Sequence, residues 1–267
     1  GAAVYGAAPA AAPSRETHPA RSDFEVPVPA RHRTHRSLTH PPRIMPASVS
    51  SAPPIDRHAP ADTTPVLFGM GCFWGPDARF GALDGVVRTC VGYAGGERPN
   101  PTYAALGDHI ETVRVEIDPS RLTYADLLEH FWAHHDPTRA PFKRQYQPAL
   151  FPQTDAQAEQ ARASYDAVAA QRDRPLATEL IHDASFHRAE AYHQKHTLRR
   201  HDAVMEAFRA LYPNDAAFAD APAAALANGY VAGHRSPARL DEDAPRLGLP
   251  EEALAALRSR ARQRSAS

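Results

Sequence analysis

The segment Gly71-Cys72-Phe73-Trp74-Gly75 is where this sequence offers the clearest chemistry. It joins an apolar stretch, TPVLFGMG at 64–71, to a helix-like stretch from Phe73 to Leu83, so the cysteine stands where a strand gives way to a helix. A thiol in that place faces the unpaired N–H groups of a helix N-terminus, which favour negative charge. The expectation is a lowered pKa and a thiolate nucleophile. The plainer reading is a buried structural cysteine, a common fate of free thiols. Two adjacent large aromatics cannot both point into a core, so Phe73 or Trp74 is expected beside the sulfur. The chain has one other cysteine, Cys90. A disulfide framework and a four-cysteine zinc site are thereby excluded.

The elements that must position Cys72 alternate between strand and helix. VVRTCVGYAGG reads as a strand stopped by glycines, and IETVRVEID alternates Val113, Val115 and Ile117 with Arg114 and Glu116, as a half-buried strand does. Helices are predicted over 122–133 and 154–172, the second with Thr154 as N-cap. QYQPALF, broken by Pro148, is predicted as a short strand near an edge, and ATELIHD at 177–183 as another strand. A long helical pattern runs from Ala189 to Leu211 and stops at Pro213, and two Ala-rich helical stretches follow. Strands that alternate inside and out favour an α+β two-layer sandwich over a fully covered parallel sheet.

Composition narrows the classes. The chain has 267 residues with 30 basic and 31 acidic side chains, so a formal charge of −1 gives no reason to expect nucleic acid or an anionic membrane as partner. No apolar run approaches the ~18 residues that would span a bilayer, and a soluble monomer is expected. Residues 1–60 hold 11 of the 26 prolines, seven arginines and four acidic residues without helical or strand periodicity, and read as a disordered extension. The domain expected after it spans 61–236, followed by a C-terminal helical extension over 237–267 that opens at Pro250, Glu251 and Glu252 and reads as an added surface helix. The expected location is the cytoplasm, or an organelle if the acid-poor N-terminal segment is a transit peptide.

GCFWG, VGYAGG at 91–96, NPTY at 100–103, the strand with Glu111, FWAHHDPT at 131–138 and AYHQ at 191–194 stand in the order and approximate spacing of the peptide methionine sulfoxide reductase A family, which the region 65–235 resembles. The resemblance implies a mixed sheet with a ferredoxin-like core. It also implies thiol-dependent reduction of methionine (S)-S-oxide, free or in proteins, an oxidative lesion that such reductases reverse. It makes Cys72 the nucleophile and Glu111 the general acid, because a partly buried glutamate can keep its proton at neutral pH. Tyr103 and Tyr146 become hydroxyl donors to the sulfoxide oxygen, and Phe73 and Trp74 the floor that receives the methyl group. No metal or cofactor is implied; the electrons come from an external thiol such as thioredoxin.

Three departures from that family pattern matter. Asp77 stands where a glutamate is common. The usual glycine-rich segment with an aspartate is replaced by RAPFKRQY at 139–146, which has no acidic residue, so Arg139, Lys143 or Arg144 could shape which peptides bind. No cysteine follows Cys90, leaving Cys90 as a candidate resolving thiol if it comes within disulfide reach of Cys72, and an external thiol otherwise. Asp136 could order the tyrosine loop, and His193 and His196, three apart, could share a metal only with ligands that are not evident. Two rival functions remain: a cysteine hydrolase with a histidine base, and a non-catalytic binder of oxidised methionine.

Overall fold

The computed structural model of the chain describes residues 52–265. A short helix, α1 (Pro54–Arg57), precedes strand β1 (Thr64–Gly69), helix α2 (Trp74–Gly81), strands β2 (Val86–Ala94) and β3 (Ile110–Ile117), helix α3 (Tyr124–Ala133) and strand β4 (Ala149–Phe151). Helix α4 (Asp155–Ala169) and the short strands β5 (Glu179–Leu180) and β6 (His187–Arg188) follow. Then come helices α5 (His196–Arg199), α6 (Asp202–Leu211), α7 (Asp215–Ala219), α8 (Pro222–Ala232), α9 (Leu240–Leu247) and α10 (Glu251–Ser265).

The six strands form one mixed sheet in the order β5-β4-β1-β3-β2-β6. Its centre, β4-β1-β3-β2, is antiparallel throughout, and β5 adds parallel to β4. A βαββαβ chain with that strand order is the ferredoxin-like core, so the expected α+β sandwich with a mixed sheet is what the chain builds. β4 is inserted between β1 and β5 rather than left at the edge.

Period-two alternation sorts the side chains between two faces. On the helix-covered face Phe68 stacks with Phe80 of α2 and with Phe131 of α3 at ring separations of 5.1 and 5.3 Å. Leu67, Ala94, Ile110, Ala149 and Phe151 point the other way, against Ile181 and Phe186. The cross-strand pairs Val91–Val113 and Tyr93–Glu111 lie on the helix face, and Cys90–Arg114 on the opposite one. Helix starts obey the expected local chemistry: Thr123 and Asp126 form a reciprocal capping box on α3, and Thr154 caps α4 through the Gln157 N–H.

Three expectations about the chain are corrected here. The helical pattern from Ala189 to Leu211 is broken into a 3-10 turn at Ala191–His193, then α5, then α6. Gln194 is extended and Lys195 left-handed (φ 53°), because both side chains turn into the core to meet buried polar groups. The C-terminal segment is not a surface addition: Leu240, Leu247, Leu254, Leu257 and Ala261 are buried in one core with α6 and α8. The end of the expected disordered extension is also folded. Ile55 packs on that core, and Asp56 accepts hydrogen bonds from the Tyr212 hydroxyl and the Ala223 N–H at 2.6 and 2.9 Å. The rest of that extension, up to residue 51, lies outside the described residues.

α8 is buried over almost its whole circumference, as a helix that is apolar all round must be. It approaches α2 closely enough that a Cβ on Gly81 would come within 2.6 Å of the Ala225 carbonyl oxygen. The helix that follows Cys72 is thus pressed between the sheet and α8.

Candidate active site

Cys72 occupies the turn between β1 and α2, and its thiol is exposed. Gly71 reaches it with φ +77°, a conformation that a side chain would strain. Phe73 then turns inward and is only 1% exposed, its ring 6.0 Å from Tyr93 and 5.1 Å from His193. Of the two aromatics, Trp74 alone keeps a partly exposed face, which meets the expectation that both cannot enter the core. Phe73 packs inward instead of presenting a surface.

The helix N-terminus does act on the sulfur through the Trp74 N–H, but it does not decide the outcome. Desolvation raises the Cys72 pKa and a charged Glu111 would raise it further, against the opposing Trp74 hydrogen bond. The expected lowering is therefore not found in the free protein. Cys72 rests as a thiol, in a site that desolvates it more than the helix end favours its anion.

Glu111 is the first-turn neighbour that sequence order could not reveal as a contact. It sits on β3 opposite Tyr93 and is 2% exposed. Its Oε2 accepts the Phe73 N–H at 3.1 Å and its Oε1 the Gln145 side-chain amide at 3.0 Å. Both donors are neutral, so they offset only part of the desolvation, and the Glu111 pKa stays raised. A carboxyl whose pKa is raised by burial is thereby fastened to the residue following Cys72.

The two phenols complete the cluster. Tyr103 is exposed and lies close enough to Tyr146 to act on its hydroxyl, whose pKa is pushed up to about 12 by desolvation and by Glu111. The Tyr146 hydroxyl thus stays protonated and able to donate across the neutral range. Tyr103 is held from behind by Glu190, which accepts its N–H at 2.9 Å and the Tyr93 hydroxyl at 2.7 Å. Trp74 is held too: its indole N–H donates to His193 Nδ1 at 3.2 Å, and its ring stacks on His196 at 3.6 Å and 4°. His193 and His196 thus bracket an indole, and among the described residues no group of three or more metal-type ligands occurs.

Beside Cys72 opens a cavity of about 570 Å³ lined by Met70, Cys72, His135, Asp136, Arg139, Phe142 and Tyr146, among others. Both nitrogens of His135 are engaged, with the Phe131 carbonyl and the Thr178 hydroxyl, so it is not free to serve Cys72 as the base a hydrolase needs. Asp136 holds its own turn by accepting from the Thr138 N–H and hydroxyl, and its contacts do not reach the tyrosines.

Cys90 is not brought to Cys72. It is buried on the opposite face of the sheet, with its pKa raised to about 11 by desolvation. Asp77 lies 0% exposed on the inner side of α2, where Lys195 Nζ meets its Oδ1 at 3.0 Å and the Lys195 N–H and Asn228 amide reach its Oδ2. Thr89 donates its hydroxyl to Asp77 at 2.6 Å. Gln145, Glu190 and Lys195 are supports that residue types alone did not single out, whereas Asp77, singled out as a departure from the family pattern, proves to be the partner of Lys195; Gln145 was readable only as the neighbour of Tyr146.

A fold that presents one exposed sulfur to a carboxyl of raised pKa and to two phenols belongs with the thiol-dependent oxidoreductases. The chain is a member of the peptide methionine sulfoxide reductase family, whose model matches residues 64–220. The peptide methionine sulfoxide reductase MsrA of Salinispora tropica is 38% identical over 187 residues, covering 61% of this chain and 85% of that protein. The peptide methionine sulfoxide reductase of Drosophila melanogaster is 37% identical over 185 residues, covering 68% and 74%. The solved structure of methionine sulfoxide reductase A of Corynebacterium diphtheriae is 30% identical, covers 54% of this chain and 77% of its own, and has a TM-score of 0.48.

Proposed function

We propose that the protein reduces methionine (S)-S-oxide by transfer of the sulfoxide oxygen to Cys72. In the state where the Cys72–Glu111 pair shares one proton and Glu111 holds it, the Cys72 thiolate attacks the substrate sulfur to form a transient S–S bond and Glu111 gives its proton to the oxygen; the hydroxyl then passes to the Cys72 sulfur as both the S–O bond to the substrate and the S–S bond break. Methionine leaves, Cys72 becomes a sulfenic acid, and the Glu111 carboxylate later recovers a proton from solvent. Tyr103 and Tyr146 donate to the oxygen while it carries negative charge, a task suited to groups that stay neutral. Trp74 receives the methyl group and so selects the epimer whose oxygen faces the phenols; Phe73 backs it. The observation that carries this reading is the raised Glu111 carboxyl hydrogen-bonded to the backbone of the residue after an exposed cysteine.

Turnover then requires an external reductant, because Cys90 faces away across the sheet and no other cysteine exists. One thiol displaces water from the sulfenic acid to form a mixed disulfide, and a second releases Cys72. A thioredoxin-like dithiol supplies both, or a small thiol supplies each in turn. Two unpaired cysteines suit a reducing compartment, and we assign the work to the cytoplasm. We take 61–236 as the catalytic portion and 237–267 as helices that brace it from below. Cys72→Ser is expected to abolish reduction of a peptide carrying the S epimer, followed by chromatography with dithiothreitol as reductant; full activity of that variant would refute the assignment.

The membrane plays no part in this reading, and among the described residues no helix is long and apolar enough to cross one.

A further inference from the structure

We infer that the 139–146 loop directs this reductase to oxidised methionines flanked by acidic residues in protein segments, through Arg139 on the wall of the Cys72 cavity and Lys143 beside the Phe142 of that wall. The inference rests on the reduction reading above. Residues 137–146, PTRAPFKRQY, carry three basic side chains, Arg139, Lys143 and Arg144, and no acidic one. The loop forms one wall of the cavity through Arg139, Ala140, Pro141 and Phe142.

Of its three cations, Arg144 is already paired with Glu179 at 2.5 Å. Arg139 and Lys143 are exposed and have no carboxylate partner among the described residues; Lys143 lies 6.0 Å from the centre of the Phe142 ring. The carboxylate on the cavity wall, Asp136, is occupied by Thr138, whose hydroxyl also accepts from Arg174 at 2.7 Å. Phe142, 82% exposed and 5.3 Å from the Tyr146 ring, adds an apolar face beside the two cations. A volume of about 570 Å³ falls within the roughly 300–1,000 Å³ typical of sites that enclose whole ligands, more than a single methyl sulfoxide needs. The neighbours of the oxidised methionine must then lie along the loop, where two uncommitted cations meet them. Because the chain's overall charge is −1, such a preference arises from short-range contacts at the rim and not from a long-range field.

The test is single-turnover sulfenic acid formation by the pre-reduced full chain, without added reductant, on paired peptides whose S-epimer methionine sulfoxide is flanked by glutamates or by lysines. N-acetylmethionine sulfoxide serves as the uncharged-flank reference. At low salt the glutamate peptide should be favoured roughly three- to tenfold in kcat/KM, the effect of one or two exposed ion pairs. At about 0.5 M salt the ratio should fall towards one, a test that needs no variant. Arg139→Gln combined with Lys143→Gln should bring the low-salt ratio close to one. A ratio of one in the wild type at low salt, a ratio unmoved in the double variant, or a preference seen only in steady state with a thioredoxin would each overturn the inference, the last by assigning the basic rim to the reductant. Failure to convert any of the three substrates would instead refute the reduction reading itself.

Discussion

Asp77 and Glu111 are both buried carboxylates fastened to the segment that carries Cys72, and they are fastened in opposite ways. Asp77 meets an ammonium, a hydroxyl, an amide and a backbone N–H, all of them buried. Glu111 meets one backbone N–H and one side-chain amide and no cation. The first arrangement answers a full negative charge and ties α2 to β2, to the Gln194–Lys195 turn and to α8. The second answers only part of one, so the pKa of a carboxyl beside a sulfur is left raised. Burial alone therefore says little about what an acidic side chain does; the charge of its partners decides whether it anchors or reacts.

The sharpest way to break the comparison is Glu111→Gln. The amide preserves the shape and removes the acid, and sulfenic acid formation should slow by roughly 10²–10⁴-fold. The pH profile tests the assignment more stringently. The reactive form has Cys72 ionised and Glu111 protonated, while desolvation raises both pKa values. In the wild type the rate should rise as pH passes the Glu111 pKa, where the pair comes to share one proton, and fall above the Cys72 pKa, where that proton is lost. In Glu111→Gln the rate should rise through the Cys72 pKa and stay up. Stability carries the same sign: a raised folded-state pKa contributes stability at low pH that is lost as pH rises through it. Glu111→Gln should accordingly gain stability relative to the wild type as pH rises, measured by urea melts across that range. An unaltered alkaline limb in the variant would show that another group supplies the proton.

Lys195→Met converts the first carboxylate into a likeness of the second, with neutral partners only. Leaving a buried charge without its counter-ion costs about 3–5 kcal/mol, which urea denaturation would read as a lower midpoint. The rate per folded molecule should survive, because Lys195 touches neither Cys72 nor Glu111. A loss below about 1 kcal/mol, within the range of ordinary surface changes, would mean that the pair is not what holds α2 in place.

The chemical centre was legible before the fold because its members sit in compact strings: Cys72 between glycines and aromatics, Glu111 on an alternating strand, Tyr103 and Tyr146 in short motifs. Their supports were not. Gln145, Glu190 and Lys195 act across sequence separations of 34, 87 and 118 residues, which no local period records. The long helix expected over 189–211 failed for the same reason, since Lys195 gives up helical backbone geometry to reach Asp77. The thiol pKa was misjudged because the strand-to-helix turn is visible in sequence, whereas the desolvation that outweighs it comes from tertiary packing. Tyr146 lies between the two cases. Its loop lacks the aspartate of the family pattern, yet its hydroxyl still lies where Glu111 and Tyr103 act on it. Tyr146→Phe should lower kcat/KM by roughly tenfold, the effect of removing one donor to a charged oxygen, with Glu111→Gln-like changes in the pH profile absent.

The two cysteines repeat the lesson at the smallest scale. Cys72 is exposed, whereas Cys90 is buried beside Arg88, Arg114 and Arg188 on the far side of the sheet, and desolvation still drives its pKa to about 11 despite the attraction of Arg188. A thiol so seldom ionised is a poor nucleophile for a sulfenic acid it does not face. Cys90→Ala removes a small buried side chain and should lower stability by about 1 kcal/mol. Single-turnover and dithiothreitol-supported rates should match the wild type, and peptide mass mapping after one turnover should find Cys72 without a link to Cys90. A Cys72–Cys90 disulfide would require the sheet to open between them, and with it the arrangement that keeps Glu111 dry.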